Sequence, residues 1–216
     1  MRLSRATLLP LVLVLVVIGA ATAVLALGNS SSSPKLPGNA KKASPVNGFA
    51  GSTLMPIKQA PPISLDNYLG KHVTLAQYRG KAVFVTFLYV HCPDVCPAIA
   101  SALRVVRKDL GPENSKVRMI AVSVDPHGDK PSSVARFLAQ RGMTGKMQYL
   151  VGSAGQLAPV WKEWNVGSQQ DSSNPELVAH TALVYGVSGS GKLMTIYPAN
   201  FKPRDIVHDV PKLAAS

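Results

Sequence analysis

The chain holds two cysteines, Cys92 and Cys96, four positions apart in His91-Cys92-Pro93-Asp94-Val95-Cys96-Pro97. A disulfide framework scatters its cysteines to close long loops, whereas here both thiols are spent on one spot. Two chemistries fit such a pair. Two thiolates form a soft donor set that suits Cu(I). Two neighbouring thiols can also open and close a disulfide by exchange. A purely stabilising bridge is the poorer reading, because so short a loop gains little closure entropy. Zinc is disfavoured, since structural zinc wants four Cys or His ligands, and the five histidines stand in no finger spacing.

A third donor is available downstream. His180 stands directly before the apolar run Thr181–Val187. One imidazole added to two thiolates completes a three-coordinate copper site and also supports Cu(II). The other reading of His180 is a loop histidine bonded to backbone. Asp125 follows a second apolar run, at the sheet edge where α/β folds place their sites. It is a candidate to hydrogen-bond the ligand loop or orient a thiol, beside the plainer role of starting an Asp-Pro turn. His91 adjoins Cys92 and is a candidate ligand or tuning group, unless strand alternation turns it away. His72, His127 and His208 read as surface or turn residues, and Trp161 and Trp164 as core-edge packing.

The elements around these residues follow from pattern. Lys81–Val90 is a continuous β-branched and aromatic run, as in a strand buried on both faces. The cysteine loop follows it, and a helix follows the loop, with Asp94 as cap, Pro97 in the first turn and Gly111 past the end. A helix N-terminus favours negative charge and so favours thiolates. Val117–Val124 predicts a second strand, Pro131–Arg141 a helix, Met147–Val151 a short strand and Ser153–Trp164 a helix. Thr181–Val187 and Leu193–Tyr197 form a hairpin about Ser188-Gly189-Ser190-Gly191, and Asp205–Leu213 a last helix. Residues 63–80 carry a hairpin signature of their own. The fold class is α/β: a thioredoxin-like sandwich with an N-terminal hairpin extension.

The first third of the chain predicts something else. Met1–Arg5 is short and basic, and Ala6–Gly28 carries no charge over 23 residues, long enough to span a bilayer. Residues 1–28 therefore read as an uncleaved signal anchor, although Ala21-Thr22-Ala23 offers a cleavage site. Arg2 and Arg5 keep the N-terminus cytoplasmic and place the rest outside. The expected location is the cytoplasmic (inner) membrane, crossed once, with the C-terminal domain on the extracytoplasmic, periplasmic side. Residues 29–61, rich in Ser, Pro, Gly, Asn and Lys, predict a flexible tether, and 62–216 the folded domain. The net charge is +12; six of the 23 Lys and Arg precede residue 62 and none of the 11 acids does. The domain's remaining excess is modest, compatible with anionic headgroups or an acidic partner. No block of like charge or aromatic-basic motif supports nucleic acid as a partner.

Taken together, LAQYRGKAVFVTFLYVHCPDVCP, AVSVDPHGDKP, the later RGMTGKM and His180 before a strand resemble the Sco/SenC family of copper-binding proteins, over about residues 61–213. The resemblance implies that Cys92, Cys96 and His180 hold one copper, Cu(I) or Cu(II), on a thioredoxin-like fold. It implies a metallochaperone that receives copper from a donor chaperone. The recipient it implies is the dinuclear copper centre of cytochrome c oxidase subunit II, or another respiratory copper enzyme. Family copper histidines are often preceded by Asp, where this chain has Ala179, and the strand after His180 runs into Tyr185-Gly186-Val187-Ser188 rather than an acidic turn. The competing reading is an enzyme, an extracytoplasmic thiol–disulfide oxidoreductase acting through Cys92 and Cys96. Such catalysts use a two-residue spacer and a proline before the partner strand, and both differences favour copper. A peroxidase would need a Thr/Pro-rich cysteine turn with a nearby Arg, which Phe87–Cys96 does not provide.

Overall fold

A buried parallel strand, β4 (Ala82–Leu88), and the helix that follows it, α1 (Val95–Leu110), carry the cysteine loop between them. All seven residues of β4 are buried, as expected of a strand covered on both faces. α1 buries Cys96, Ile99, Ala100, Leu103, Val106 and Leu110 along one stripe, the three-and-four spacing of a helix with one face in the core. Asp94 caps it by accepting from the Val95 amide, and Gly111 follows its last residue at φ 48°.

The computed structural model describes residues 48–170 and 178–216, within one compact unit running Ser44–Ser216. The expected membrane anchor, residues 1–28, lies outside the described residues, as does the tether up to residue 47. Among the described residues, no helix is long and apolar enough to cross a membrane.

Before β4 come β1 (Ser52–Gln59), β2 (Ser64–Asn67) and β3 (His72–Thr74). After α1 come β5 (Val117–Ser123), α2 (Pro131–Gln140), β6 (Gln148–Val151) and α3 (Ala154–Glu163), then β7 (Ser168–Gln170), β8 (Val178–His180), β9 (Leu183–Val187), β10 (Lys192–Pro198) and α4 (Pro203–Ala215). The main sheet has eight strands in the order β1-β10-β9-β4-β5-β6-β2-β3. β4, β5 and β6 are parallel, and β9 joins β4 antiparallel with Thr86 opposite Val184. This is a thioredoxin-like α/β arrangement, with α4 packed against α1. The expected extension is present: β2 and β3 pair antiparallel through Ser64–Thr74, Leu65–Val73 and Asp66–His72. α3 opens with a reciprocal capping box between Ser153 and Gln156.

Two expectations need correction. The tether was expected to run to residue 61, yet Ser52–Gln59 is a strand on β10. Phe49 is buried, and the amides of Ala50 and Gly51 donate to the Asp209 carboxylate of α4 at 2.8–3.0 Å. Folded structure therefore begins by Gly48. The strand is hidden in sequence because it is an edge strand with an interrupted register between Thr53 and Lys58, where Pro56 costs no ladder bond. The strand expected over Thr181–Val187 begins instead at Leu183. His180 ends a separate short strand, β8, paired with β7 so that His180 stands opposite Ser168.

Candidate metal centre

Cys92 and Cys96 are both free thiols and both buried. Cys96, in the first turn of α1, has no exposure, whereas Cys92 in the loop keeps 8%. The loop is folded around the sulfur: the Cys92 amide donates to the Tyr89 carbonyl at 3.4 Å, and the Cys96 amide donates to Cys92 Sγ at 3.3 Å. Helix amides aimed at a sulfur stabilise its thiolate.

The two thiols consequently differ. A hydrogen bond from Cys96, then the backbone amides of Cys96 and Asp94 and the Tyr89 hydroxyl, bring Cys92 down to about 6 against the opposition of burial. Cys96 is driven far the other way, first by that same bond to Cys92 and then by burial, so it keeps its proton. The reduced pair carries one thiolate, on Cys92, and one thiol.

His180 comes to the same place across the fold. Its Nε2 lies 3.6 Å from Cys96 Sγ, and its Nδ1 stands 3.3 Å from the Thr181 carbonyl oxygen. A carbonyl only accepts, so Nδ1 carries the proton and Nε2 presents its lone pair toward the sulfur. Burial lowers the imidazole pKa, with the Thr181 carbonyl pulling back. The ring is therefore neutral at neutral pH, as a ligand must be. The ring of Tyr89 meets it edge-on at 5.7 Å between centroids. Tyr89, Cys92, Pro93, Val95, Val178 and His180 are among the residues lining a cleft of about 340 Å³. As placed, no three His, Cys, Asp or Glu side chains among the described residues converge on one metal position. Cys92 faces the Cys96 amide, while Cys96 faces His180.

The other candidates are placed differently. Asp125 bonds within its own turn: its Oδ1 accepts the amides of His127 at 3.1 Å and Gly128 at 2.9 Å. It closes its own turn, the plainer of its two expected roles. His91 is exposed, and its Nδ1 lies over Gly128 beside Asp125, where an added Cβ would meet Asp125 Oδ2 at 2.1 Å and His91 Nδ1 at 2.8 Å. His72 pairs with Asp66 on the surface, and His208 with Asp209. Trp164 packs against Phe87 and Tyr185, and Trp161 donates its indole N–H to the Ser123 carbonyl.

Two residues at the site escape sequence reasoning. Tyr89 is hidden in an apolar strand run, where a tyrosine looks like packing. Asp129 closes the turn that Asp125 opens and looks like a surface acid, yet it is only 4% exposed. Its Oδ1 accepts the Val90 amide at 2.8 Å, and its Oδ2 accepts the hydroxyls of Ser123 at 2.6 Å and Tyr149 at 2.8 Å. Burial, opposed by those bonds, lifts its carboxyl to about 6.

Comparison with known proteins places this arrangement. A family model described as SCO1/SenC matches residues 55–215. The SCO1 protein homologue of Bacillus subtilis is 27% identical over 156 residues, covering 70% of this chain and 81% of that protein. Mitochondrial relatives are longer, and the chain spans 61% of the mouse SCO2 homologue, at 26% identity. Among solved structures, apo Sco1 from Thermus thermophilus superposes with a TM-score of 0.67 at 29% identity, covering 76% of this chain and 96% of that one. ScoI of Bradyrhizobium japonicum with copper bound gives 0.60 at 28% identity, covering 72% and 99%.

Proposed function

The chain belongs to the SCO1/SenC family, and on that premise we propose that it is a copper metallochaperone whose cargo is held by Cys92, Cys96 and His180. The observation that carries the reading is the approach of His180 Nε2 to within 3.6 Å of Cys96 Sγ, with the second sulfur, Cys92, one helical turn away in the same loop. Two sulfurs and one neutral imidazole match a copper ion's preferences. A relative at 28% identity has been solved with copper bound, which supports the same cargo here.

The residues divide the work. Cys92 lines the cleft and is the sulfur that incoming or departing copper meets first. Cys96, fully buried, gives up its proton when the ion arrives. His180 supplies a lone pair whose direction the Thr181 carbonyl sets.

The proposed recipient is the dinuclear copper centre of cytochrome c oxidase subunit II or another respiratory copper enzyme, and the proposed source a donor chaperone. The proposed location is the extracytoplasmic face of the cytoplasmic membrane, held by residues 1–28. The second reading, a thiol–disulfide oxidoreductase acting on the oxidase cysteines, draws support from the asymmetry of the pair: one thiolate to attack and one thiol to resolve.

One substitution separates the two. Disulfide exchange needs no imidazole, so His180→Ala should leave Cys92 and Cys96 able to oxidise and reduce while impairing oxidase assembly. Added copper should restore part of the loss by mass action. The measurement is oxidase activity per cell across a copper series. Full activity of His180→Ala at low copper, with Cys92→Ser inactive, would replace the chaperone with the reductase.

A further inference from the structure

We propose that the end of the domain opposite the cysteine loop is a docking face for an anionic bilayer surface, attracted through Lys and Arg side chains that few carboxylates neutralise. The inference rests on the proposed membrane location, and adds which face the domain turns toward the lipid and where that leaves the copper cleft.

Strand register gathers these cations. β4 and β5 are parallel with Ala82 opposite Val117, so Lys81 and Lys116 precede them side by side and Arg118 follows one position on. The Lys81 amine donates to the Ser115 carbonyl at 2.6 Å. β9 ends here too, with Val187 opposite Val83. After the turn Ser188–Gly191, β10 starts beside β1, with Gln59 opposite Lys192 and Lys58 opposite Leu193. Arg79 reaches that turn: its Nη1 lies 0.9 Å from where a Cβ on Gly191 would stand. α1 adds Arg107 and Lys108 from its last turn, and Arg107 lies close enough to Arg118 to feel its charge, an effect second to burial. These segments hold two acidic side chains, Asp109 and Glu113, and Glu113 pairs with Lys116 at 2.7 Å. Among the described residues, no carboxylate side chain forms an ion pair with Lys58, Arg79, Lys81, Arg107, Arg118 or Lys192.

The chain enters the domain at the same end. Lys212, in the last turn of α4, donates to the Gly48 carbonyl. The carbonyls of Leu213 and Ser216 take the Gly189 and Ser190 amides of the β9–β10 turn at 2.7 and 2.8 Å. Ahead of Gly48 the sequence holds Lys35, Lys41 and Lys42 with no acid, and before them the uncharged run Ala6–Gly28. Anionic headgroups attract each Lys or Arg within about a Debye length, about 8 Å at physiological salt. An end built of strand termini, a turn and two helix ends presents several such charges at once. A tether holds that end at high local concentration, so a weak attraction suffices.

A copper recipient is the poorer occupant of this face. Cys96 stands in the first turn of α1 and Lys108 in its last, roughly 18 Å apart along the helix axis. A protein docked on the cations would leave the cleft at the far end untouched. A domain docked there on lipid carries Cys92 and His180 on the end away from the bilayer, open to a recipient.

The test uses the full chain reconstituted into vesicles of phosphatidylcholine alone, or of phosphatidylcholine with about one third phosphatidylglycerol, and maps lysines by brief acylation with an uncharged reagent. Lys116 and Lys192 should label at least about threefold more slowly in the anionic vesicles at physiological salt. Lys130 and Lys202, exposed at the cysteine end, should label equally in both. About 1 M salt, which shortens the Debye length to about 3 Å, should abolish the difference. Lys58→Glu with Lys108→Glu reverses two exposed charges of the face and should remove the protection of Lys116 and Lys192 while leaving the circular dichroism spectrum unchanged. Equal labelling of Lys116 and Lys192 in the two kinds of vesicle overturns the proposal. Protection found in native membranes but not in the anionic vesicles overturns it too, and assigns the face to an acidic protein. Flotation reads the anchor separately: a chain lost from neutral vesicles but held by anionic ones refutes anchoring by residues 1–28 and supports this face. No readout involves copper, so a failure here is distinct from a failure to bind it.

Discussion

Cys96 Sγ and His180 Nε2 meet at 3.6 Å across 84 residues of sequence. The contact joins the first turn of α1 to the end of a two-stranded ribbon. Both ends are anchored: α1 by its buried stripe, His180 by the Thr181 carbonyl and the ring of Tyr89. The Cys96 thiol keeps its proton, while the His180 ring is neutral, its one proton on Nδ1 and a lone pair on Nε2.

That protonation pattern predicts how many protons copper displaces. Cys92 is ionised above about pH 6, whereas Cys96 is not ionised anywhere near neutrality. Binding one Cu(I) at pH 7.5 should release about one proton, from Cys96, rising toward two below pH 6 as Cys92 also holds its own. Calorimetry in buffers of differing ionisation enthalpy reads the number directly. Two protons at pH 7.5 would mean that Cys92 is not the thiolate described here.

His91 and His180 should part company on substitution. The His91 ring is exposed and its Nδ1 lies over Gly128 beside Asp125. His91→Ala should leave Cu(II) affinity within about threefold, since no ligand is lost, whereas His180→Ala should weaken it by about a hundredfold or more. Competition with a Cu(II) chelator measures both. A loss at His91 as large as that at His180 would return it to the ligand set.

Ionisation of Asp129 should show in stability against pH. Its folded-state pKa, about 6, lies above the ordinary 3.8. A group raised in this way contributes stability that is complete below the unfolded value and is lost as pH climbs through the folded one. A shift of this size corresponds to about 3 kcal/mol at most. Asp129→Asn, which cannot ionise, should therefore gain about 2–3 kcal/mol on wild type between pH 3.5 and pH 7.5. Urea denaturation at the two pH values gives the difference. A stability gap between the two proteins that does not change with pH would contradict the buried ionisation.

Asp209 should matter for the entry of the chain into the domain. It is fully buried and accepts the amides of Ala50 and Gly51 at 2.8–3.0 Å, the Tyr197 hydroxyl at 2.6 Å and His208 Nδ1 at 2.7 Å. Asp209→Ala leaves several buried donors without an acceptor, at a cost of about 3 kcal/mol or more. Exchange at the Ala50 and Gly51 amides should rise with it. Denaturation combined with hydrogen exchange tests both, and a loss under 1 kcal/mol would show that β1 is held by its pairing with β10 alone.

The sequence by itself determined whatever depends on neighbours along the chain. A seven-residue apolar strand, a capped helix and two thiols between them are encoded within Ala82–Leu110, so the cysteine loop and its chemistry were legible without coordinates. So were the strand–helix alternation and the terminal hairpin, because period and turn residues are local signals. Only the tertiary structure decided which polar side chains face that loop. Asp125 and Asp129 stand four residues apart on one turn; the first bonds its own backbone and the second bonds Val90 across the sheet. No local pattern distinguishes them, since the difference is where β4 and β6 run past the turn. The strand at Ser52–Gln59 was hidden for the same reason. Its sequence is unremarkable, and it is a strand because β10 and the Asp209 carboxylate satisfy its backbone. Burial and hydrogen-bond satisfaction are properties of contact across the fold, and contact across the fold is what a linear pattern does not carry.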